Sequence, residues 1–423
     1  MTSQVVAPRT RPLQALVHVP GSKSVAARAL ICAALSDDPS VVSNLPSGDD
    51  TSAMVAGLQQ LGAEINVVGS SAEFTRSLSL ESAHSVVVDA VLAGTTARFL
   101  TAVAALRNGE TVITGHDALR NRPMHDLHQA LADLGAVVTP LNGVGRLPVS
   151  IRRGPQITDS VAIAGSVSSQ FTSGLMLIAP RLPQGLGIVI EGSSVSESYV
   201  AMTQGVQKAF GVAASEISRG QYRYSPGRYV GCRYEVEPDA SSASYPLAAA
   251  AIAGGTVSVS GLGRSGLQGD SAFPEVLARM GCVIRREGSD VSVTRDAGQP
   301  LEGIDIDMGD MSDLVPTLAV VATRAISPTV IRGVGFIRNK ESDRIGDLAH
   351  EMRTLGADVE EHDDGLKIKP SALHGATVYT HHDHRLAMSL ALLGLVVPNV
   401  VVADPDVVSK SWPEYWQMLD TLQ

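Results

Sequence analysis

Eight cations stand out for where they fall. Lys23, Arg28, Arg98, Arg122, Lys340, Arg344, Arg385 and Lys410 lie beside Gly, Ser, Thr or another charge, at points where helices should begin. The chain as a whole carries a net charge of −10. It therefore has no broad basic surface, which argues against a nucleic-acid partner. A local group of Lys and Arg can still dominate the field where it gathers. Helix starts expose free N–H groups and the positive end of the dipole. Cations at several such starts point to a small anionic substrate.

Hydroxyls and carboxylates complete the set. Ser168-Ser169-Gln170 and Ser193-Ser194-Val195-Ser196 read as helix caps that could also cradle a phosphate. Asp313 heads the apolar stretch from Leu314 to Ala325. Lys340-Glu341-Ser342-Asp343-Arg344 packs two cations and three polar or acidic groups at a helix start. It reads either as a salt-bridged terminus or, with Asp313, as half of an acid/base pair whose protonation its cations tune. His381-His382-Asp383-His384-Arg385 invites a metal reading, with His382 and His384 on one face of a strand. No second Cys/His cluster completes such a site, and Arg385 would repel a cation. The segment therefore reads as a helix capped by Asp383, and no metal is expected. No phosphate loop of the G-x-x-x-x-G-K-[ST] type, nucleophile elbow or redox cysteine pair occurs.

The elements that carry these residues recur. Six copies of one pattern follow each other at intervals of roughly 70 residues. Each has a first helix rich in small apolar residues. These begin at Ser22-Lys23-Ser24, Gly94-Thr95-Thr96, Ser168-Ser169-Gln170, Asp239-Ala240-Ser241-Ser242, Ser312-Asp313 and Asp383-His384-Arg385. A β-branched strand follows, as at Ser40-Val41-Val42 or Thr329-Val330-Ile331, and then a second helix. The second helices carry apolar stripes over Asp50 to Leu61, Met124 to Leu134, Ala272 to Met280 and Ile345 to Leu355. Gly62, Gly135, Gly281 and Gly356 close them. One or two further strands complete a β-α-β-α-β-β unit.

Six units exceed one core, and two groups of three are expected. One group comprises residues 1–20 and 237–423; the other, inserted, comprises 21–236. The apolar fraction of 44% suits a globular chain, and aromatics at 4% demand aliphatic cores. Cys32, Cys232 and Cys282 are too sparse for a disulfide frame and fit a reducing compartment. The first residues lack the apolar core of a secretory signal, and the run from Leu386 to Val397 is too short to cross a bilayer. A cytoplasmic protein without a membrane partner is expected.

In order along the chain stand Pro20-Gly21-Ser22-Lys23-Ser24, Ala93-Gly94-Thr95, Arg122-Pro123, Ser166-Val167-Ser168-Ser169-Gln170-Phe171, Asp239-Ala240-Ser241-Ser242-Ala243-Ser244-Tyr245, Lys340-Glu341-Ser342-Asp343-Arg344 and Asp383-His384-Arg385-Leu386-Ala387-Met388. With these segments the sequence resembles the 5-enolpyruvylshikimate-3-phosphate synthase family from end to end. The resemblance implies an α/β (α+β) enolpyruvyl-transferase fold of two domains, each of three βαβαββ units, closing over a cleft. It implies transfer of the enolpyruvyl group of phosphoenolpyruvate to the 5-hydroxyl of shikimate-3-phosphate, through a tetrahedral intermediate, with release of phosphate. This is a step of the shikimate pathway to aromatic amino acids. No cofactor or metal is implied, and a monomer is expected.

Position by position, the resemblance gives Lys23, Arg122 and Lys410 to the phosphate of phosphoenolpyruvate, with Gly94 as a backbone contact and Gln170 nearby. Arg344 and Arg385 would hold its carboxylate, which a guanidinium fork suits, with His384 beside them. Ser24, Arg28, Ser168, Ser169, Ser196, Tyr199 and Lys340 would meet shikimate-3-phosphate. Asp313 would take the 5-hydroxyl proton. Glu341, helped by lysine, would protonate the methylene carbon, so that one carboxylate loses and one gains a proton. Lys23 and Lys410 join these two as catalytic residues.

Four positions depart from the family pattern: Ala27, Leu92, Phe99 and Phe336. They bear on fine substrate contacts, and Phe99 on sensitivity to glyphosate, which Gly94 and the Ser-Ser-Gln form otherwise imply. The related UDP-N-acetylglucosamine enolpyruvyl transferases carry a cysteine ahead of an Arg-Pro pair, where this chain has Asp117. A non-catalytic paralogue that binds shikimate-3-phosphate would not need both Asp313 and Glu341. A repeat scaffold for protein contacts would not need the eight cations.

Overall fold

The computed structural model describes residues 2–192, 197–263, 266–296 and 298–422. The chain is a mixed α/β protein that divides into two compact units, residues 1–20 with 237–423 and residues 21–236. Among the described residues each contains three small sheets.

In the unit 21–236 all three sheets are four-stranded and share one order. A lead strand pairs in parallel with the strand after the first helix, and an antiparallel pair follows. Val86–Asp89, for example, runs parallel to Thr111–Thr114, which pairs antiparallel with Val149–Arg152. Val137–Pro140 closes that sheet. The lead strand of the first sheet, Arg233–Glu235, comes from the far end of the unit and pairs with Ser40–Ser43. Alternating burial along these strands gives each sheet one apolar face.

The first helices of this unit, Lys23–Leu35, Gly94–Ala104 and Ser169–Ile178, are buried on nearly every face and pack on one another. Helices apolar all round belong inside a core. Small residues let them approach closely. A Cβ on Gly57, in the second helix Asp49–Gln60, would stand 2.4 Å from Leu100 Cδ1. The four closing glycines have φ of 99°, 98°, 108° and 89°, the left-handed geometry expected after a helix.

In the unit of 1–20 with 237–423, two sheets repeat this order. Leu13–Val17 leads the first, parallel to Gly255–Val259, and Asp305–Asp307 leads the second, parallel to Thr329–Arg332. The sixth repeat differs from the expected β-α-β-α-β-β. Its sheet has three strands, Thr377–Val378, Val400–Ala403 and, antiparallel on the other side, Ser3–Val6. After Val400–Ala403 the chain turns through Pro405–Lys410 into the helix Tyr415–Thr421. The N-terminal strand therefore satisfies the open edge.

Two helix starts also shift. Asp313 lies in a 3-10 turn, Gly309–Leu314, and the α-helix follows as Val315–Ala322, with Pro316 in its first turn, where a missing N–H costs nothing. The helix expected from Ala272 opens as a 3-10 turn, Gly269–Ala272, before Phe273–Arg279. Lys340 to Arg344 lead into the helix Gly346–Thr354, close to the start that the sequence predicts at Ile345. Asp343 Oδ1 accepts from the N–H of Ile345 and Gly346 at 3.1 and 2.9 Å and sets the start beyond itself. No helix among the described residues is long and apolar enough to cross a membrane.

Candidate active site

In the unit 21–236, four helix starts meet. Lys23 opens the first helix, and its Nζ lies 3.0 Å from Asp50 Oδ2 in the first turn of Asp49–Gln60. The Asp50 carbonyl accepts from Thr96 Oγ1 at 3.3 Å, at the start of Gly94–Ala104. Gln170 Nε2 donates to Thr95 Oγ1 at 3.1 Å, and Arg98 Nη1 donates to Gln170 Oε1 at 2.5 Å. Ser168 caps its helix by accepting from the Gln170 N–H at 3.3 Å, and Ser169 is the first helical residue. The helices at Lys23 and Gly94 have no side-chain cap. A Cβ on Gly94 would stand 2.5 Å from Arg122 Nη1. A guanidinium thus covers the positive end of a helix dipole. Like fields converge there, and an anion satisfies both.

Arg28 sits beneath this cluster and is fully buried. Its Nε donates to Thr203 Oγ1 at 2.8 Å and its Nη2 to Ser173 Oγ at 3.0 Å. Its Nη1 donates to the Ser24 carbonyl at 2.8 Å. The rings of Phe99 and Tyr199 lie 5.2 and 5.7 Å from its Cζ. Burial pulls its pKa down to about 10. Ser196 lies outside the described residues.

In the unit of 1–20 with 237–423, Arg344 is the hub. Its Nε and Nη2 reach Asp383 Oδ2 and Oδ1 at 2.7 and 3.2 Å. Its Nη1 donates to Asp313 Oδ1 at 2.9 Å, and Nη2 to Glu341 Oε2 at 2.7 Å. Arg385 Nη2 takes the other oxygen of Asp313, at 2.7 Å. The two arginines expected at a substrate carboxylate therefore hold Asp313 between them here. Lys340 Nζ is 4.0 Å from Asp313 Oδ1, and the Phe336 ring lies 5.8 Å from that ammonium. Burial works against the charge on Arg344, yet Asp383, Glu341 and Asp313 outweigh it and hold its pKa above the ordinary arginine value.

His384 is buried, with Nδ1 3.8 Å from Asp383 Oδ1. Its helix His384–Ala391 starts on Asp383, as the sequence predicts, and packs against the turn Pro405–Lys410 that carries the buried Lys410. His381 and His382 form a turn with φ of 51° and 58°, so the strand face imagined for a metal reading does not exist.

Sequence reasoning missed three residues. Asp50 is the carboxylate beside Lys23, yet it reads as an ordinary acidic residue of a helix's first turn. Asp383 reads as a cap, and its grip on Arg344 needs the tertiary fold. Asp270 carries a buried carboxyl that accepts from Ser241 Oγ; burial, then the charge of Asp313, raises its pKa to about 7. The only hint of it is an acidic residue in a Gly-Asp-Ser turn.

Comparison with known proteins places this geometry. Residues 8–419 match the family described as EPSP synthase (3-phosphoshikimate 1-carboxyvinyltransferase). The 3-phosphoshikimate 1-carboxyvinyltransferase of a Nostoc species is 40% identical over 416 residues, covering 96% of both chains. That of Shewanella oneidensis is 38% identical over 420 residues, again covering 96% of both. Among solved structures, an EPSP synthase of Acinetobacter baumannii superposes with a TM-score of 0.80 at 24% identity, covering 99% of this chain and 98% of the other. An enolpyruvyl transferase of Streptomyces tendae gives 0.77 at 17% identity, covering 99% and 97%. These structures share the fold, and the sequence relatives supply the kinship: the chain belongs to the EPSP synthase (3-phosphoshikimate 1-carboxyvinyltransferase) family.

Proposed function

We propose that the protein transfers the enolpyruvyl group of phosphoenolpyruvate to the 5-hydroxyl of shikimate-3-phosphate, releasing phosphate. The observation that carries this reading is the position of Asp313 and Glu341 on the two Nη atoms of one buried guanidinium, Arg344. Two carboxylates fixed a few ångströms apart suit a reaction in which one oxygen loses a proton as one carbon gains one. Asp313 takes the hydroxyl proton, Glu341 protonates the methylene carbon, and the new C–O bond gives the tetrahedral intermediate. Return of the methyl proton and departure of phosphate then restore the alkene.

The remaining roles are those that the family resemblance implies. Lys23, Arg122 and Lys410 meet the phosphate of phosphoenolpyruvate, with Gly94 and Gln170, and Arg344, Arg385 and His384 meet its carboxylate. Ser24, Arg28, Ser168, Ser169, Ser196, Tyr199 and Lys340 meet shikimate-3-phosphate. The acid/base and carboxylate groups come from 1–20 with 237–423, and most of the phosphate ligands from 21–236. A single chain acts alone, in the cytoplasm.

The test is phosphate release from phosphoenolpyruvate by the purified chain, with shikimate-3-phosphate and, separately, with UDP-N-acetylglucosamine, without added metal. Release with the shikimate ester alone, lost in Asp313→Ala, supports the reading. Binding of shikimate-3-phosphate without release would instead favour a non-catalytic paralogue.

A further inference from the structure

The segment leading into the helix His384–Ala391 is tied down at two points, and only one belongs to the site described above. At one end, Asp383 receives Arg344 and also Ser342 Oγ at 3.1 Å. At the other end stands Glu351, in the last turns of the helix Gly346–Thr354 and 1% exposed. Its Oε2 accepts from the Tyr379 N–H at 2.9 Å, and its Oε1 lies 2.7 Å from His381 Nε2. A carboxylate only accepts, so the ring donates from Nε2. On the other side of that ring, Nδ1 is 3.6 Å from Asp347 Oδ1, one turn earlier on the helix. Asp347 Oδ2 in turn accepts from the Asp343 N–H at 3.0 Å, within the segment that carries Glu341 and Arg344.

The backbone at this point is costly to hold. His381 and His382 are consecutive non-glycine residues in the left-handed region, at φ of 51° and 58°. Such residues persist only where their surroundings over-determine them. The His382 side chain is 82% exposed, with Asp404 Oδ2 3.8 Å from its Nδ1. The pair is closed by the Asp383 N–H, which donates to the Thr380 carbonyl at 2.8 Å, and its side-chain restraint comes from the His381 ring. The turn it holds is the one that delivers Asp383, His384 and Arg385, two residues further on.

We propose that His381, seated between Glu351 and Asp347, is a positioning residue for the reaction. It fixes the turn that presents Arg385 and His384 and couples it to the helix whose leading turn presents Glu341 and Arg344. The inference rests on the functional reading above. It assigns a role to a side chain that touches neither substrate nor any reacting atom. A small displacement of binding groups costs far more than the lost contact itself, because a clamp acts only in register.

The test uses the full chain and three variants. His381→Leu removes the ring's polar contacts, His381→Gln keeps a donor of similar reach, and Asp347→Ala removes the outer partner together with its bond to the Asp343 N–H. Two readouts are taken: hydrogen exchange of the amides from 379 to 388, and KM for each substrate. In His381→Leu the amides should exchange faster and KM for phosphoenolpyruvate should rise by about tenfold, with KM for shikimate-3-phosphate unchanged. His381→Gln should restore most of both, and Asp347→Ala should fall between. Unchanged exchange in His381→Leu and Asp347→Ala would overturn the staple, whatever the activity. Faster exchange with both KM values unmoved would reduce it to a structural contact. A wild-type chain that releases no phosphate would overturn the functional reading and the role with it, while the exchange data still decide the staple. If His381→Leu does not fold, Asp347→Ala and His381→Gln decide alone.

Discussion

Arg344 and Asp383 form a bidentate pair sealed from solvent, with side chains 2% and 0% exposed and bonds of 2.7 and 3.2 Å. Asp383 Oδ1 also accepts from the Arg385 N–H at 2.8 Å, so one carboxylate orients both arginines of the site. Removing it leaves a guanidinium buried against Asp313 and Glu341 alone.

Asp383→Ala should therefore cost about 3–5 kcal/mol of stability, as expected when half of a buried pair is deleted. It also removes the cap of a helix. Urea unfolding measures this, and a midpoint within error of wild type would show that Arg344 finds equal compensation elsewhere. Asp383→Asn, which keeps one acceptor, should lose less.

The Phe99 ring lies 5.2 Å from the Arg28 Cζ, and both side chains are buried. A desolvated cation over an aromatic face gains roughly 0.5–2 kcal/mol. Phe99→Leu keeps apolar volume but not the ring. It should raise KM for shikimate-3-phosphate by about three- to tenfold, through a loosened Arg28, and leave KM for phosphoenolpyruvate alone. Steady-state kinetics with each substrate varied would decide, and an unchanged shikimate-3-phosphate KM would remove Phe99 from the account.

The repeat was legible because its signals are local. Apolar periodicity marked the second helices, and Gly62, Gly135, Gly281 and Gly356 take the left-handed φ that their positions predict. The sixth unit was misread because its partner strand, Ser3–Val6, lies at the other end of the chain, and no local pattern reveals a pairing of that span. Asp313 reads as the start of a helix, and the Lys340 to Arg344 segment as the lead into one. The second holds, with Asp343 accepting from the Gly346 N–H at the helix start, whereas Asp313 sits in a 3-10 turn ahead of its helix. Asp50 and Asp270 escaped notice because an acidic side chain in a first turn is ordinary, and only packing makes it buried and paired.

Two buried groups should bend the pH dependence of stability in opposite directions. Burial, and then His125, lowers the pKa of His128 to about 4, and neither ring nitrogen has a hydrogen-bond partner among the described residues. Below its unfolded value of 6.5, the unfolded chain binds a proton that the folded chain refuses. The contribution of His128 is therefore full above pH 6.5 and lost as pH falls toward about 4, by roughly 3 kcal/mol. Asp270 runs the other way. Its folded pKa is about 7 against 3.8 unfolded, so between those values the unfolded chain is the less protonated. Stability then falls as pH rises through that window, by roughly 4 kcal/mol. Urea unfolding across the window should show His128→Leu losing the acid-side decline and Asp270→Asn losing the neutral-side one. Parallel curves for wild type and variant would refute the assignment for that residue.

Gly94 offers the cleanest separation of binding from folding. Its Cβ would stand 2.5 Å from Arg122 Nη1 and 3.0 Å from Cζ, both at the end of a flexible side chain. Its φ is not in the left-handed region, so alanine fits the backbone. In Gly94→Ala the guanidinium must therefore yield, and the fold need not. Stability should hold, or rise by a few tenths of a kcal/mol, because alanine is the better helix former. The displaced cation no longer covers the helix start, so the phosphate of phosphoenolpyruvate loses a contact made in the ground state as well as the transition state. KM for phosphoenolpyruvate should rise by about tenfold with kcat less affected, which is the signature of lost uniform binding. A fall in kcat at constant KM would instead place Arg122 on a group that changes charge during the reaction. Arg122→Lys separates geometry from charge: it retains the cation but loses the fork, and should match Gly94→Ala only if the position of the guanidinium is what the anion reads.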